Sequence, residues 1–276
     1  MSKILRLCQT LNILSIDIAA GAVICCAFFA DILGVSVLPY GFITLGLTVW
    51  IIYTVDHLLD VWRKTQPAAT KRHRFHQQHF YILLTPLLLS LVVVGIQLVF
   101  IRRPVLIGGV VLSAIVGLYF ILQKSLKYFK EFIVAILYSG GVLMAPLSFL
   151  QRPLAPFEIS LIFQFFLTAL INLLLFSWFD RKSDAQDHHP SFTVAFGDRA
   201  TRILLTVSFI MNAGISVIQI FLNTDTTGPV IVILAMNAVL VWIFLKRNYF
   251  EINDRYRLMG DAAFLLPVVY LTCDGF

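Results

Sequence analysis

Long apolar runs alternate along this chain with short polar breaks. A hydropathy window of about 19 residues separates nine such runs, at 9–30, 38–59, 80–100, 104–122, 131–150, 157–179, 201–222, 228–245 and 258–273. A helix crosses the hydrocarbon core of a bilayer in ~20 residues, so each run predicts one spanning helix. The breakers fall where this reading needs them: Pro39 and Pro104 open runs, Pro153 and Pro156 fill a short connection, and Gly228–Pro229 starts the eighth run. Pro86, Pro146 and Pro267 lie inside runs, where a kink is tolerated if neighbouring groups satisfy the freed carbonyls. The expected architecture is all-α: a polytopic membrane protein with nine transmembrane helices around a central cavity. The first run could be misread as a signal peptide, but it is long, carries Asn12 and Asp17, and ends without a small-x-small cleavage site, so it reads as the first span.

Composition agrees. Of 276 residues, 59% are hydrophobic and 13% charged, with a mean hydropathy of +0.88. That balance excludes a soluble enzyme, a disordered tail and a coiled coil. Nine spans consume ~180 residues, which leaves no room for a separate soluble domain and predicts one transmembrane domain over 1–276. Placement of charge says more than the net +6. On this topology 18 of the 21 Lys and Arg lie in the N-terminus and even-numbered loops, and only Arg102, Arg103 and Arg152 in the odd loops. The positive-inside rule then puts the N-terminus in the cytoplasm and the C-terminus on the opposite side. Basic residues scattered through short loops disfavour nucleic acid as a partner. Four cysteines without a CxxC pair indicate neither a disulfide framework nor a zinc site.

Candidate chemistry collects on the cytoplasmic side, in motif-bearing loops at about 56–79 and 180–200. The second run ends YTVDHLLDVWRK, with Asp56 and Asp60 at i, i+4, and the sixth ends FSWFDRKSDAQDHHP, with Asp180, Asp184 and Asp187 at i, i+4, i+7. Each set shares one helix face. A helix C-terminus carries partial negative charge, and like charges one turn apart repel, so these acids need a cation. Two such rows facing each other form an oxygen-ligand box for Mg²⁺, which is usually held by a few carboxylates and its substrate's phosphates. Lys71, Arg72 and Arg74 follow the first cluster, and Lys124 and Lys127 lie in the next cytoplasmic loop. Acids for a metal beside basic donors match the needs of a diphosphate. The sequence has no GxxxxGK[ST] or GxGxxG, which favours a lipid diphosphate over a nucleotide.

Asn12 and Asp17 sit inside the first apolar run, where an ionisable group is a functional candidate by default, here for an acceptor pocket. Asp261 opens the ninth run, a helix N-terminus where an acid is favourable on structural grounds. His188–His189 lacks an HxxxH or Cys partner and reads as a polar loop. His73, His76 and His79 are assigned no role.

Nine spans with acidic motifs after the second and sixth resemble the UbiA superfamily of intramembrane polyprenyltransferases. Asp180 to Gly197, DRKSDAQDHHPSFTVAFG, is similar to that family's D-x-x-x-D run and its ending before the seventh helix. The first motif, N-D-x-x-D-x-x-x-D, falls on Ile52-Tyr53-Thr54-Val55-Asp56-His57-Leu58-Leu59-Asp60, so its last two acids match while Ile52 and Tyr53 replace the Asn and first Asp. Tyr119 with Lys124 is similar to the family's Tyr-x-x-x-Lys element, one residue longer. The resemblance implies a transferase of isoprenoid groups: a Mg²⁺-dependent prenyltransferase that ionises an allylic prenyl diphosphate and transfers the prenyl group to a lipophilic acceptor, aromatic ones included, within the lipid bilayer. It implies catalytic aspartates at Asp56, Asp60, Asp180 and Asp184, which with Asp187 would hold the metal. Lys71, Arg72, Arg74 and Lys124 would bind diphosphate. Tyr53, Phe176 and Trp178 would wall the cavity as aromatic faces for a carbocation, with Asn12, Asp17 and Tyr119 completing the pocket. Two alternatives stay open: a cyclase on the same scaffold, which turns prenyl diphosphate into a terpene without an acceptor, and a transporter or silent scaffold using the acids as a cation or proton site.

Overall fold

The computed structural model describes residues 3–62, 66–68, 70–122, 128–187, 190–222 and 227–273, with side chains from Arg6 onward. Lys124, Lys127, His188 and His189 lie outside them. The described residues contain no strand. The helices are α1 (Lys3–Ile13), α2 (Ile16–Ile32), α3 (Pro39–Val61), α4 (Lys71–Gln78), α5 (Phe80–Gln97), α6 (Arg103–Leu122), α7 (Lys130–Phe149), α8 (Pro156–Gln186), α9 (Phe192–Leu222), α10 (Thr227–Leu245), α11 (Arg247–Glu251), α12 (Arg255–Ala262) and α13 (Pro267–Cys273).

Seven of these, α3 and α5 to α10, are long and apolar enough to cross a membrane, and the bent pair α1–α2 makes eight. The expected count of nine is not reached among the described residues. The run at 258–273 is broken into α12, a 3₁₀ turn at Ala263–Leu265, and α13. Pro267 explains part of that break, because it has no N–H to donate and its ring crowds the preceding turn.

The run at 9–30 is not straight either. Its two halves meet at 78°, and Ser15 at the elbow has φ 57°, in the left-handed region. A bend in lipid must re-satisfy the carbonyls it frees. Arg72 Nη2 donates to the Asn12 carbonyl at 2.7 Å, and Trp50 Nε1 donates to that of Leu14 at 2.9 Å. The elbow is therefore held by α3 and α4.

Helix α8 is the axis of the packing. Two-thirds of its most apolar window is buried, 67%, against 11% for α5 and for α6, which form the lipid-facing rim. Its neighbours are joined to it by polar contacts as well as by packing. Gln164 Nε2 donates to Asn212 Oδ1 at 3.1 Å and to Ser216 Oγ at 2.6 Å, tying α8 to α9. Asn237 Nδ2 donates to Thr168 Oγ1 at 2.9 Å, tying α10 to the same helix. Hydrogen bonds of this kind contribute about 0.6 kcal/mol each between membrane helices; several in a row fix register. Helix α9 also starts earlier than its apolar run, with Gly197 at φ 82° as the kink between its opening turn and its span.

Candidate active site

At the polar ends of α3, α7 and α8 the helices part around a cavity of about 1230 Å³, counting its open mouth. The two aspartate rows face each other across it. Asp56 and Asp60 line the α3 wall, and Asp180 and Asp184 the α8 wall. Three basic groups reach the same space from three other elements: Arg72 of α4, Lys130 of α7 and Arg257 of α12.

Each cation is positioned by a nameable contact. Thr70 Oγ1 caps α4, accepting from His73 N at 3.3 Å, and the short helix delivers Arg72 inward. Besides the Asn12 carbonyl, Arg72 Nη2 donates to Asn12 Oδ1 at 3.0 Å, and it lies 3.9 Å from Asp261 Oδ2. Burial and the nearby Arg257 charge push the Arg72 pKa below the usual arginine value, while Asp261, Asp17 and Asp180 oppose that shift. Burial and the Arg72 charge likewise hold His76 below the ordinary imidazole value, so it stays neutral at pH 7, with its Nδ1 2.9 Å from the Arg72 carbonyl.

Arg257 forms an ion pair with Asp180, and the Tyr256 hydroxyl donates to the other oxygen of the same carboxylate. Arg257 also lies over the Phe176 ring, 5.1 Å from its centroid. Glu131, beside Lys130, accepts from Phe192 N at 2.8 Å and so pins the start of α9 to the start of α7.

Behind Arg72 is a second polar layer. Asn12 Nδ2 donates to Asp17 Oδ2 at 2.6 Å and to Asp261 Oδ2 at 2.8 Å, and Asn172 Nδ2 donates to Asp261 Oδ1 at 3.4 Å. Toward the membrane interior the lining turns apolar and aromatic. Tyr53 stands one turn before Asp56, Phe176 one turn before Asp180, and Tyr138 two turns beyond Lys130. Tyr138 and Phe264 meet edge to face at 5.5 Å. The cavity thus has a charged mouth and an aromatic floor.

Of the residues expected from sequence, Asp56, Asp60, Asp180, Asp184, Arg72, Tyr53 and Phe176 line this cavity. The others are placed elsewhere. Lys71 is exposed and 3.3 Å from Asp254. Arg74 turns outward and donates to the Ala68 carbonyl. Asp187 is the C-cap of α8, beyond the lining. Trp178 is on another face of α8, where its Nε1 donates to Asp198 Oδ1 at 2.6 Å and Arg247 covers its ring at 4.1 Å. Tyr119 is buried without lining the cavity. Asn12 and Asp17 act on the lining through Asp261 and Arg72. Lys124 falls outside the described residues. Sequence reasoning missed Lys130, Arg257, Asp261, His57 and His73 as lining residues; Arg257 and Asp261 carried a signal, since i, i+4 spacing puts them on one face.

The donor set fits Mg²⁺ in chemistry. Asp56, Asp60 and Asp184 offer hard carboxylate oxygens on opposite walls, whereas Asp180 is engaged by Arg257 and Tyr256.

No family model and no curated protein matches this sequence. Among solved structures, the fold is similar to the apo structure of a UbiA homolog from Aeropyrum pernix K1, with a TM-score of 0.63 over 96% of this chain and 98% of that one, at 9% sequence identity. An all-helical chain of apolar spans, gathered about α8 and opening at one polar end, therefore has the fold of a UbiA homolog.

Proposed function

We propose that this protein is a Mg²⁺-dependent intramembrane prenyltransferase, which ionises an allylic prenyl diphosphate and passes the prenyl group to a lipophilic acceptor. The observation that carries this reading is the pairing of two aspartate rows with Arg72, Lys130 and Arg257 around one cavity whose floor is aromatic. Mg²⁺ bound by Asp56, Asp60 and Asp184 would supply charge neutralisation for the leaving diphosphate.

The chain's own groups do the rest. Lys130, Arg257 and Arg72 stabilise the negative charge that builds on the bridging oxygen. Asp180 and Tyr256 hold Arg257 in place. Tyr53, Tyr138, Phe176 and Phe264 exclude water and offer ring faces to the allylic cation. With Lys71 and Arg74 turned away from the cavity, Lys130 and Arg257 take the diphosphate-binding part that the sequence assigned to those two residues. The charged mouth belongs on the cytoplasmic side, in line with the distribution of Lys and Arg, and the acceptor and prenyl tail enter from the bilayer.

The test is to incubate purified protein with geranyl, farnesyl and geranylgeranyl diphosphates, with and without Mg²⁺, and to follow diphosphate release. Mg²⁺-dependent release that Asp184→Ala abolishes in a folded protein is the expected result. Release accompanied by hydrocarbon or terpene alcohol from the donor alone would make the protein a cyclase. No release from any donor, with membrane extract supplied as the acceptor source, would end the reading.

A further inference from the structure

Beside Asp60, the α3 wall and α4 contribute two histidines that a diphosphate site built from oxygen ligands does not use. His57, Asp60 and His73 each present one ligand atom, and these atoms lie within 4.8 Å of one another. His57 and Asp60 are three apart on α3 and share a face; His73 comes from the first turn of α4, whose start is fixed by the Thr70 cap. The His57 and His73 rings meet at 5.8 Å, and His73 Nε2 is 3.6 Å from Asp60 Oδ2. His57 is 6% exposed, lines the cavity, and its Nδ1 has no hydrogen-bond partner among the described residues. A buried ring nitrogen in that state is costly unless something occupies the space before it.

We infer that His57, Asp60 and His73 form a cation site with two imidazole nitrogens and one carboxylate, sharing Asp60 with the proposed Mg²⁺ ligands, which takes a divalent transition metal of the Zn²⁺ or Co²⁺ kind in preference to Mg²⁺. Imidazole favours the later first-row metals, whereas Mg²⁺ favours oxygen. Two His and one carboxylate are a set that binds such metals while leaving open positions for a further ligand. Metal–ligand bonds of ~2.0–2.2 Å place neighbouring donors about 3 Å apart, so closure moves each donor by about 1 Å, within the reach of side-chain rotation. Asp60 and His73, at 12% and 16% side-chain exposure, sit toward the mouth and admit the ion.

His57 Nε2 faces Arg72 Nη1 at 3.4 Å, a long contact, so Nδ1 is the nitrogen offered to the metal. Binding there moves the ring proton to Nε2. Arg72 gives up that one contact and keeps its two shorter bonds to Asn12. An ion so placed leaves its open positions toward the cavity, where its part in holding a diphosphate oxygen rests on the function proposed above; its binding does not.

The test uses the full-length protein in detergent, stripped with chelator and titrated with Zn²⁺ by calorimetry and with Co²⁺ by visible absorption, both in millimolar Mg²⁺. One equivalent should bind against the Mg²⁺ background, with Co²⁺ bands of nitrogen-containing ligation. His73→Ala should weaken binding at least about tenfold, and His57→Gln comparably, while His79→Ala, whose ring stacks on Phe75 outside the cluster, should not change it. Because His57 is buried and its variant could unfold, His73→Ala decides. Binding unaltered by His73→Ala, or Zn²⁺ displaced by Mg²⁺, would overturn the inference. Zn²⁺ binding without diphosphate release would leave this site standing and remove the proposed function, whereas Mg²⁺-dependent release without Zn²⁺ binding would do the reverse.

Discussion

The amide of Asn12 donates to Asp261 Oδ2 at 2.8 Å, joining positions 249 residues apart. The other acceptor of the same NH₂ group is Asp17, so both hydrogens are used and two carboxylates are held on either side of one side chain. Arg72, bonded to the Asn12 oxygen, closes the group. This arrangement positions Arg72 and Asp261, both of which line the cavity.

Asn12→Leu keeps the approximate volume and removes both donors. It should cost about 1–3 kcal/mol, the penalty for buried polar groups left without partners, read as a lower thermal midpoint in detergent. Adding Asp17→Asn should recover part of the loss, because a donor returns and one negative charge goes. Simple additivity of the two changes would show that the contact carries no coupling.

Arg257→Met leaves the Asp180 carboxylate buried without its cation. Breaking a buried pair from one side costs about 3–5 kcal/mol, so folded yield and thermal midpoint should fall sharply. Asp180→Asn in the same chain should restore folding but not diphosphate release. Arg257→Lys should fold and release diphosphate more slowly than the parent, since it keeps the charge and loses the planar fork over Phe176. Equal release rates for Arg257→Lys and parent would remove Arg257 from the site.

Gly260 packs against α8 with no space for a side chain. A Cβ there would stand 2.4 Å from Asn172 Oδ1 and 2.9 Å from the Phe176 ring. Gly260→Ala should destabilise by about 1–3 kcal/mol through overpacking and should impair diphosphate release by shifting Phe176. Asn172→Ala should relieve part of the thermal loss; a Gly260→Ala protein as stable as the parent would contradict this packing.

Ser15 holds a left-handed backbone, is 1% exposed, and its Oγ has no hydrogen-bond partner among the described residues. A side chain in that region costs roughly 1–2 kcal/mol. Ser15→Gly should therefore raise the thermal midpoint, the equivalent of about 1 kcal/mol, and Ser15→Val should lower it. The opposite order would mean that the elbow is not where the structure puts it.

Much of the helical architecture was legible because lipid offers the backbone no hydrogen bonds, so apolar runs of sufficient length can only be helices. The elbow at Ser15 was not, because its carbonyls are capped by Trp50 and Arg72, and nothing near residue 15 announces those partners. Pro267 was visible, but whether a proline kinks a span or breaks it depends on what packs around it. In the site, the i, i+4 spacing of Asp56 with Asp60 and of Asp180 with Asp184 put each pair on one face, and both faces line the cavity. Proximity in sequence misled elsewhere. Successive residues on a helix point about 100° apart, so of the basic residues at 71, 72 and 74 only Arg72 turns inward, and of Phe176 and Trp178 only Phe176 does. Lys130 gains its place from tertiary packing alone, and Arg257 had only its i, i+4 spacing to Asp261 to mark it.

The elbow between α1 and α2 also sets an order of assembly. It leaves the ribosome before its acceptor Asp261, which lies 249 residues beyond Asn12. During synthesis the Asn12 amide can find only Asp17, and Arg72 lacks the Asp261 carboxylate, until α12 enters the membrane. Translation must therefore pass residue 261 before the mouth of the cavity can set, and nascent chains arrested before that residue should remain open there to protease or to a thiol-reactive probe.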